Sequence, residues 1–130
     1  MSNNYYFINL TNHPSSRWSA DQLDSAKRYG NVVDMAFPPV SSTVDTMDIV
    51  KLAKSIAADV RGTYQDAGIC VLVQGEMTLT YALVHMFQQY GFDCVAACSD
   101  RVTEEVVNPD GTTTKRSTFK FVQFREYPTF

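Results

Sequence analysis

The stretch that decides the fold is "AGICVLVQGEMTLTYALVHMFQQYG", residues 67–91. It opens with a continuous apolar run over 69–73, which is typical of a strand covered on both faces. It then continues as a largely apolar helix that ends at Gly91. A buried strand that leads directly into a helix predicts a parallel sheet with right-handed crossovers.

The same alternation extends towards the amino terminus. "NYYFINL" (4–10) and "NVVDMAF" (31–37) predict two further strands, rich in aromatic and β-branched residues. The helix between them spans 19–30, and Ser19 with Gln22 has the spacing of a capping box. These elements predict the first strand–helix–strand unit of the sheet.

A second helix and a fourth strand complete the alternation. Apolar residues recur at helical spacing from Ile49 to Val60, and Asp45 or Thr46 can cap this helix. "FDCVAACS" (92–99) predicts the fourth strand. The simplest arrangement is a small, Rossmann-like open α/β sheet flanked by helices, with parallel strand order 2-1-3-4.

The pattern changes after residue 99. "RVTEEVV" (101–107), a turn at "NPDG" (108–111) and "TTTKRSTFKFVQFREY" (112–127) predict an antiparallel β-hairpin appended to the sheet. The chain shows no internal repeat and no linker, so we expect one Rossmann-like domain over 1–130.

Composition limits the function. The chain has 130 residues, of which 45% are hydrophobic, and this composition predicts a folded protein. Its net charge of -3 argues against the basic surface that binding of long nucleic acids needs. The net charge does not exclude binding of a small anionic ligand, because a few backbone N–H groups can hold it. Motifs for NAD binding, ATP hydrolysis and zinc chemistry are missing from the sequence, and we expect no cofactor.

The cysteines and the hydropathy of the chain indicate its cellular compartment. Cys94 and Cys98 in one strand would stand about 13 Å apart, too far for a disulfide. The first residues do not predict a signal peptide, and no apolar run approaches the ~20 residues of a membrane span. We therefore expect a cytoplasmic protein that does not enter a membrane.

The predicted strand order also predicts where a ligand binds. In open α/β sheets, ligands bind beyond the carboxyl ends of the strands, where the winding direction reverses. That point lies between strands 1 and 3, so the loops "TNHPSS" (11–16) and "QGEMT" (74–78) should meet there.

The first loop offers polar groups and one histidine. His13 can act as an acid, a base or a cationic phosphate donor, or it can be an ordinary surface side chain. Asn12, Ser15 and Ser16 add hydrogen-bonding groups without a nucleophile signature. These four residues are candidates for ligand contacts.

The second loop joins an amide, a glycine and a carboxylate. Gly75 permits close backbone approach or positive φ, and the amides of Glu76, Met77 and Thr78 can hold a phosphate at a helix start. Glu76 can also be a catalytic acid or base, or simply a helix cap. Gln74 and Thr78 can contact a ligand or serve the cap.

Two features of the hairpin bear on function. Arg101, predicted to lie at the carboxyl edge, can clamp a phosphate, whereas the cations later in the hairpin are expected to be solvated. Several of its residues are too apolar to be exposed on both faces, which favours a homodimer through the hairpin. These residues are Phe119, Phe121, Val122 and Phe124.

Three stretches carry a family resemblance. "FINLTNHPSSRWSADQ" (7–22), "VLVQGEMTLTYALV" (71–84) and "FKFVQFREY" (119–127) resemble the small CRISPR-associated ring nucleases of type III systems. The shared pattern is a strand followed by Asn-His, a Leu-Val-Gln-Gly-acid strand exit and a Phe-rich hairpin ending in Phe-Arg.

The resemblance implies a homodimer that degrades cyclic oligoadenylate, the messenger of type III defence, without a metal. A ribose 2′-hydroxyl attacks the adjacent phosphorus and leaves a 2′,3′-cyclic phosphate. The matching positions are Asn12, His13, Gln74, Gly75 and Glu76, with His13 as acid and Glu76 acting on the 2′-hydroxyl. A non-catalytic nucleotide sensor and an effector-binding protein stay open as alternatives.

Overall fold

The computed structural model describes residues 4–130 and contains five strands and three helices. In chain order these are β1 (Tyr5–Thr11), α1 (Ala20–Lys27), β2 (Asn31–Ala36), α2 (Thr46–Thr63), β3 (Gly68–Val73), α3 (Met77–Gln89), β4 (Asp93–Val107) and β5 (Thr113–Glu126), with one 3-10 turn at Ser15–Arg17 before α1.

All five strands belong to one sheet, in the order β2-β1-β3-β4-β5. β1 pairs in parallel with β2 and β3, and β3 pairs in parallel with β4. β4 and β5 are antiparallel. The predicted α/β sheet with parallel order 2-1-3-4 and a carboxyl-terminal antiparallel hairpin is therefore confirmed.

β1 is buried on both faces because each face of the sheet has its own core. Ile8 and Leu10 pack with the buried faces of α2 and α3. Phe7 points the other way, into a smaller core with Ala26 of α1 and Phe124 of β5. β3 is covered on both faces by the same two cores, which explains its continuous apolar run.

The helix starts are specified locally. Ser19 accepts a hydrogen bond from the N–H of Gln22 at 3.2 Å. The sequence allows Asp45 or Thr46 as the cap of α2. In the structure the cap is Asp45, which forms a reciprocal capping box with Asp48. These side chains satisfy N–H groups that a helix leaves without partners.

β4 differs from the sequence-based expectation. The predicted fourth strand and the first strand of the hairpin are one strand of 15 residues. β4 stays paired with β5 from Val95 to Val107, and only a bulge at Cys98/Ser99 interrupts the ladder. A bulge bends a strand without ending its pairing, so the hairpin continues outwards as an exposed arm, residues 99–107 and 113–121.

Two further expectations concern cysteines and membranes. Cys70, Cys94 and Cys98 are all free thiols, and burial raises the pKa of Cys70 and of Cys94 to about 12. No helix within residues 4–130 is long and apolar enough to cross a membrane.

Candidate functional site

The loops that leave β1 and β3 meet at the carboxyl edge of the sheet, beside an open cleft of about 1170 Å³. This volume exceeds the roughly 300–1,000 Å³ of a pocket for one drug-sized molecule. The lining comes from the first loop and the start of α1 (11–14, 17–19, Asp21 and Gln22), from β3 and its exit (Leu72 and Gln74), and from β4 and β5 (Ala97, Ser99, Val102, Glu104 and 118–121).

Buried side chains hold the main chain of the first loop. Asn9 donates through its amide nitrogen to the carbonyl oxygen of His13 at 2.8 Å. The N–H of His13 donates to the hydroxyl of Thr11 at 3.1 Å, and that hydroxyl donates to the Asn9 carbonyl oxygen at 2.8 Å. The indole N–H of Trp18 adds a bond to the His13 carbonyl at 3.2 Å. Both polar groups of the His13 peptide are thus fixed.

Asp34 of β2 holds the next part of the same loop. Its carboxylate accepts from the N–H of Ser15 at 3.1 Å, from the Ser15 hydroxyl at 2.9 Å and from the Asn9 amide at 2.9 Å. Partial burial favours a higher pKa for Asp34, but these hydrogen bonds outweigh it and the pKa is lowered. Asp34 therefore stays ionised at neutral pH.

The predicted residues of the first loop have different positions. Asn12 and His13 line the cleft, and both side chains are exposed. The Ser15 hydroxyl is used by Asp34, and Ser16 lies outside the cleft lining. The side chains of His13 and Asn12 are therefore accessible to a ligand, and the main chain that carries His13 is fixed by the hydrogen bonds described above.

Gln74 has an architectural role that the sequence did not indicate. Its side-chain carbonyl accepts from the N–H of Ala97 at 2.9 Å, and its amide nitrogen donates to the Ala97 carbonyl at 3.4 Å. The β3–β4 ladder ends two residues earlier on each strand, at Leu72 and Val95. The Gln74 side chain thus replaces strand pairing where β4 leaves the sheet, and it also lines the cleft.

Glu76 is the N-cap of α3. Its carboxylate accepts from the hydroxyl of Thr78 at 2.7 Å, from the N–H of Leu79 at 2.8 Å and from the N–H of Thr78 at 3.0 Å. The Thr78 hydroxyl, followed by these two N–H groups, lowers the pKa of Glu76. The Thr78 amide proposed for phosphate binding is occupied, and Glu76 lies outside the cleft lining. The geometry favours the capping interpretation.

Gly75 is required by packing. A Cβ atom at this position would overlap the ring of Phe37, a buried residue that directly follows β2. Close approach, and not positive φ, is therefore the use of this glycine. Met77 is 84% exposed and does not line the cleft.

Arg101 lies away from the loops. It is a residue of the arm, its guanidinium donates to the Ser117 hydroxyl at 3.4 Å, and it does not line the cleft. The reason is the continuous β4 strand, which carries Arg101 beyond the sheet edge where a shorter strand would have ended.

The arm and the 3-10 turn supply cleft residues that sequence reasoning missed. Arg17, Phe119 and Lys120 all line the cleft, and Phe119 is 76% exposed. The one sequence signal for Arg17 is its position, four residues after His13 in the same polar segment. For Phe119 and Lys120 the necessary information is the β4–β5 register through the bulge, which no short motif encodes.

The described residues 4–130 contain no group of three or more His, Cys, Asp or Glu side chains arranged to hold a metal ion. The comparisons with known proteins give one finding. Residues 5–125 match the model of a family described as Uncharacterized protein MJ1673 family. The comparison with curated proteins found no match.

Proposed function

The chain belongs to the MJ1673 family, whose description assigns no activity, and we propose from its site that it binds and cleaves cyclic oligoadenylate. The observation that carries this proposal is the fixed His13 loop at the edge of a cleft larger than a drug-sized pocket. The resemblance of this loop and of the β3 exit to CRISPR-associated ring nucleases supplies the substrate class.

The cleft contains the chemistry that a small oligonucleotide requires. Arg17 and Lys120 provide cations for phosphates, and Arg can bind two phosphate oxygens at once. The exposed ring of Phe119 offers a stacking surface for a base, as aromatic side chains do in proteins that bind single strands. Asp21 and Glu104 also line the cleft, so an anionic ligand would depend on direct contacts with these cations and not on a net positive charge.

The proposed reaction needs only groups of the substrate and an acid. The 2′-oxygen of one ribose forms a bond to the adjacent phosphorus while the bond from phosphorus to the 5′-oxygen breaks. His13 gives a proton to the leaving 5′-oxygen, and the 2′-hydroxyl loses its proton to solvent. The products are a 2′,3′-cyclic phosphate and a 5′-hydroxyl. In-line positioning in the cleft supplies the remaining acceleration.

The preferred ligand is cyclic tetra-adenylate, and the preferred assembly is a two-fold homodimer. This ring can adopt two-fold symmetry, and a dimer presents the same loop twice around one axis. β5 is an edge strand of the sheet, and Val122 on it is 54% exposed, so β5 provides a mating surface. In a cell with a type III system, cleavage of the ring would switch off the defence signal.

One experiment tests the proposal. Pure protein is incubated with cyclic tri-, tetra- and hexa-adenylate, with and without EDTA, and the products are identified by mass spectrometry. We expect linear products that end in a 2′,3′-cyclic phosphate, in equal yield in both conditions. A ring that is bound but recovered intact would instead support a non-catalytic sensor. No binding of any ring would favour an effector-binding protein.

A further inference from the structure

Asn9 and Thr11 are unusual among the residues of the core. Within residues 4–130 they are the buried polar side chains, at 1% and 6% exposure. Both follow Phe7 on one face of β1, at positions where an apolar side chain would pack. Burial of polar groups does not stabilise a fold better than apolar packing of the same shape. Stability alone therefore does not explain why these two buried side chains are polar.

Together with Asp34, these two side chains bind the two residues that flank Pro14. Asn9 binds the carbonyl oxygen of His13, and Thr11 binds the N–H of the same residue. Asp34, which stands beside Asn9 in the β1–β2 register, accepts from the N–H and from the hydroxyl of Ser15. Pro14, between them, has its φ restricted by its ring. The loop backbone is thus fixed on both sides of Pro14.

We propose that Asn9, Thr11 and Asp34 are positioning residues, which fix the main chain of His13 so that its imidazole stands at the cleft before a ligand arrives. This inference rests on the proposed function of His13. Fixed geometry matters because a displacement of about 1 Å can slow a reaction by about 100-fold. Asn9 and Asp34 lie outside the cleft lining. Thr11 borders the cleft, but its hydroxyl is engaged with Asn9 and with the N–H of His13.

Thr11 offers a matched pair of variants. Thr11→Val has nearly the same shape but removes the hydroxyl that joins Asn9 to His13, whereas Thr11→Ser retains this hydroxyl. We expect Thr11→Val to lower kcat about 10–100-fold while KM changes less than about 3-fold, and Thr11→Ser to restore most of kcat. Asp34→Asn should act like Thr11→Val, and Asp24→Asn on the exposed side of α1 is the control.

Amide hydrogen exchange gives a readout that does not depend on cleavage. In Thr11→Val and Asp34→Asn we expect faster exchange at 13–17 and unchanged exchange in β3. Unchanged exchange at 13–17 in both variants would overturn the positioning role. If the wild-type protein cleaves no ring, the proposed function fails, and faster exchange would then still establish that these residues hold the loop. A drop in melting temperature without altered exchange would show a role in stability alone.

Discussion

The side chain of Gln74 forms two hydrogen bonds with the main chain of Ala97, 2.9 Å to its N–H and 3.4 Å to its carbonyl oxygen. An amide side chain thus continues the β3–β4 pairing after the ladder ends at Leu72 and Val95. Beyond this link β4 pairs with β5 alone. Gln74 therefore holds β4 to the β3 exit at the point where the ladder has ended, beside the cleft that it also lines.

Gln74→Ala should destabilise the protein by about 1–2 kcal/mol, because it leaves the N–H of half-buried Ala97 without its acceptor. The free energy of unfolding is measured by urea denaturation. Gln89→Ala, at an exposed position of α3, is the control and should change it by less than about 0.5 kcal/mol. An equal, small effect of both substitutions would contradict the architectural role.

Gly75→Ala should destabilise the protein by about 1–3 kcal/mol, because its methyl group must displace the buried ring of Phe37. Gly62→Ala in α2 is a matched control: a Cβ there has no neighbour within 4 Å. In a helix this change should stabilise by roughly 0.5–1 kcal/mol. Opposite signs in urea denaturation support the packing explanation, and a neutral Gly75→Ala would refute it.

Glu76→Gln should lower the melting temperature at neutral pH, because a neutral amide caps the positive end of α3 less well than a carboxylate. The pKa of Glu76 is lowered in the folded protein. Its contribution is therefore complete above the unfolded pKa, about 4.3, and is lost as pH falls through the lower folded pKa. The difference between wild type and variant should shrink in that acidic range.

Glu126→Gln, exposed on β5, serves as the control for the loss of one carboxylate. A difference in melting temperature between wild type and Glu76→Gln that does not change with pH would count against the carboxylate cap. The same variant tests chemistry: a cap alone leaves ring cleavage intact, whereas a catalytic Glu76 would show nearly normal melting and greatly reduced turnover.

Val122→Asp should convert the proposed homodimer to a folded monomer. Val122 lies on the edge strand β5, is 54% exposed and does not line the cleft, so a charge there affects pairing more than ligand contact. Val107→Asp, at the far end of the arm and 73% exposed, is the control. Sedimentation of the wild type as a monomer at micromolar concentration, with ligand present, would reject the dimer.

The fold could be predicted because each of its signals is local or periodic. The apolar run at 69–73 requires cover on both faces, and the helix that follows it implies a parallel crossover. The side chains at Ser19 and Asp45 mark helix starts. From the resulting strand order, the meeting of the loops after β1 and β3 follows directly.

The site was harder to predict because its key contacts join distant residues. Asn9 and Asp34 are 25 residues apart, and Gln74 and Ala97 are 23 apart. Neither pair forms a motif, and both depend on strand register. Glu76 shows the opposite problem: within a short motif, a helix cap and a catalytic carboxylate have the same sequence, and only the contacts of the carboxylate distinguish them.

His13→Ala is the decisive substitution for the proposed chemistry. If His13 protonates the leaving 5′-oxygen, its loss should slow ring cleavage by ~10²–10⁴ while ring affinity stays nearly unchanged. Stability should also be nearly unchanged, because the network binds the main chain of His13 and the imidazole is exposed. His85→Ala, at an exposed position of α3, is the matched control and should cleave at the wild-type rate. Single-turnover rates and equilibrium binding separate the two effects. If His13→Ala and Glu76→Gln both cleave as fast as wild type, these loops bind the ring but do not perform its cleavage.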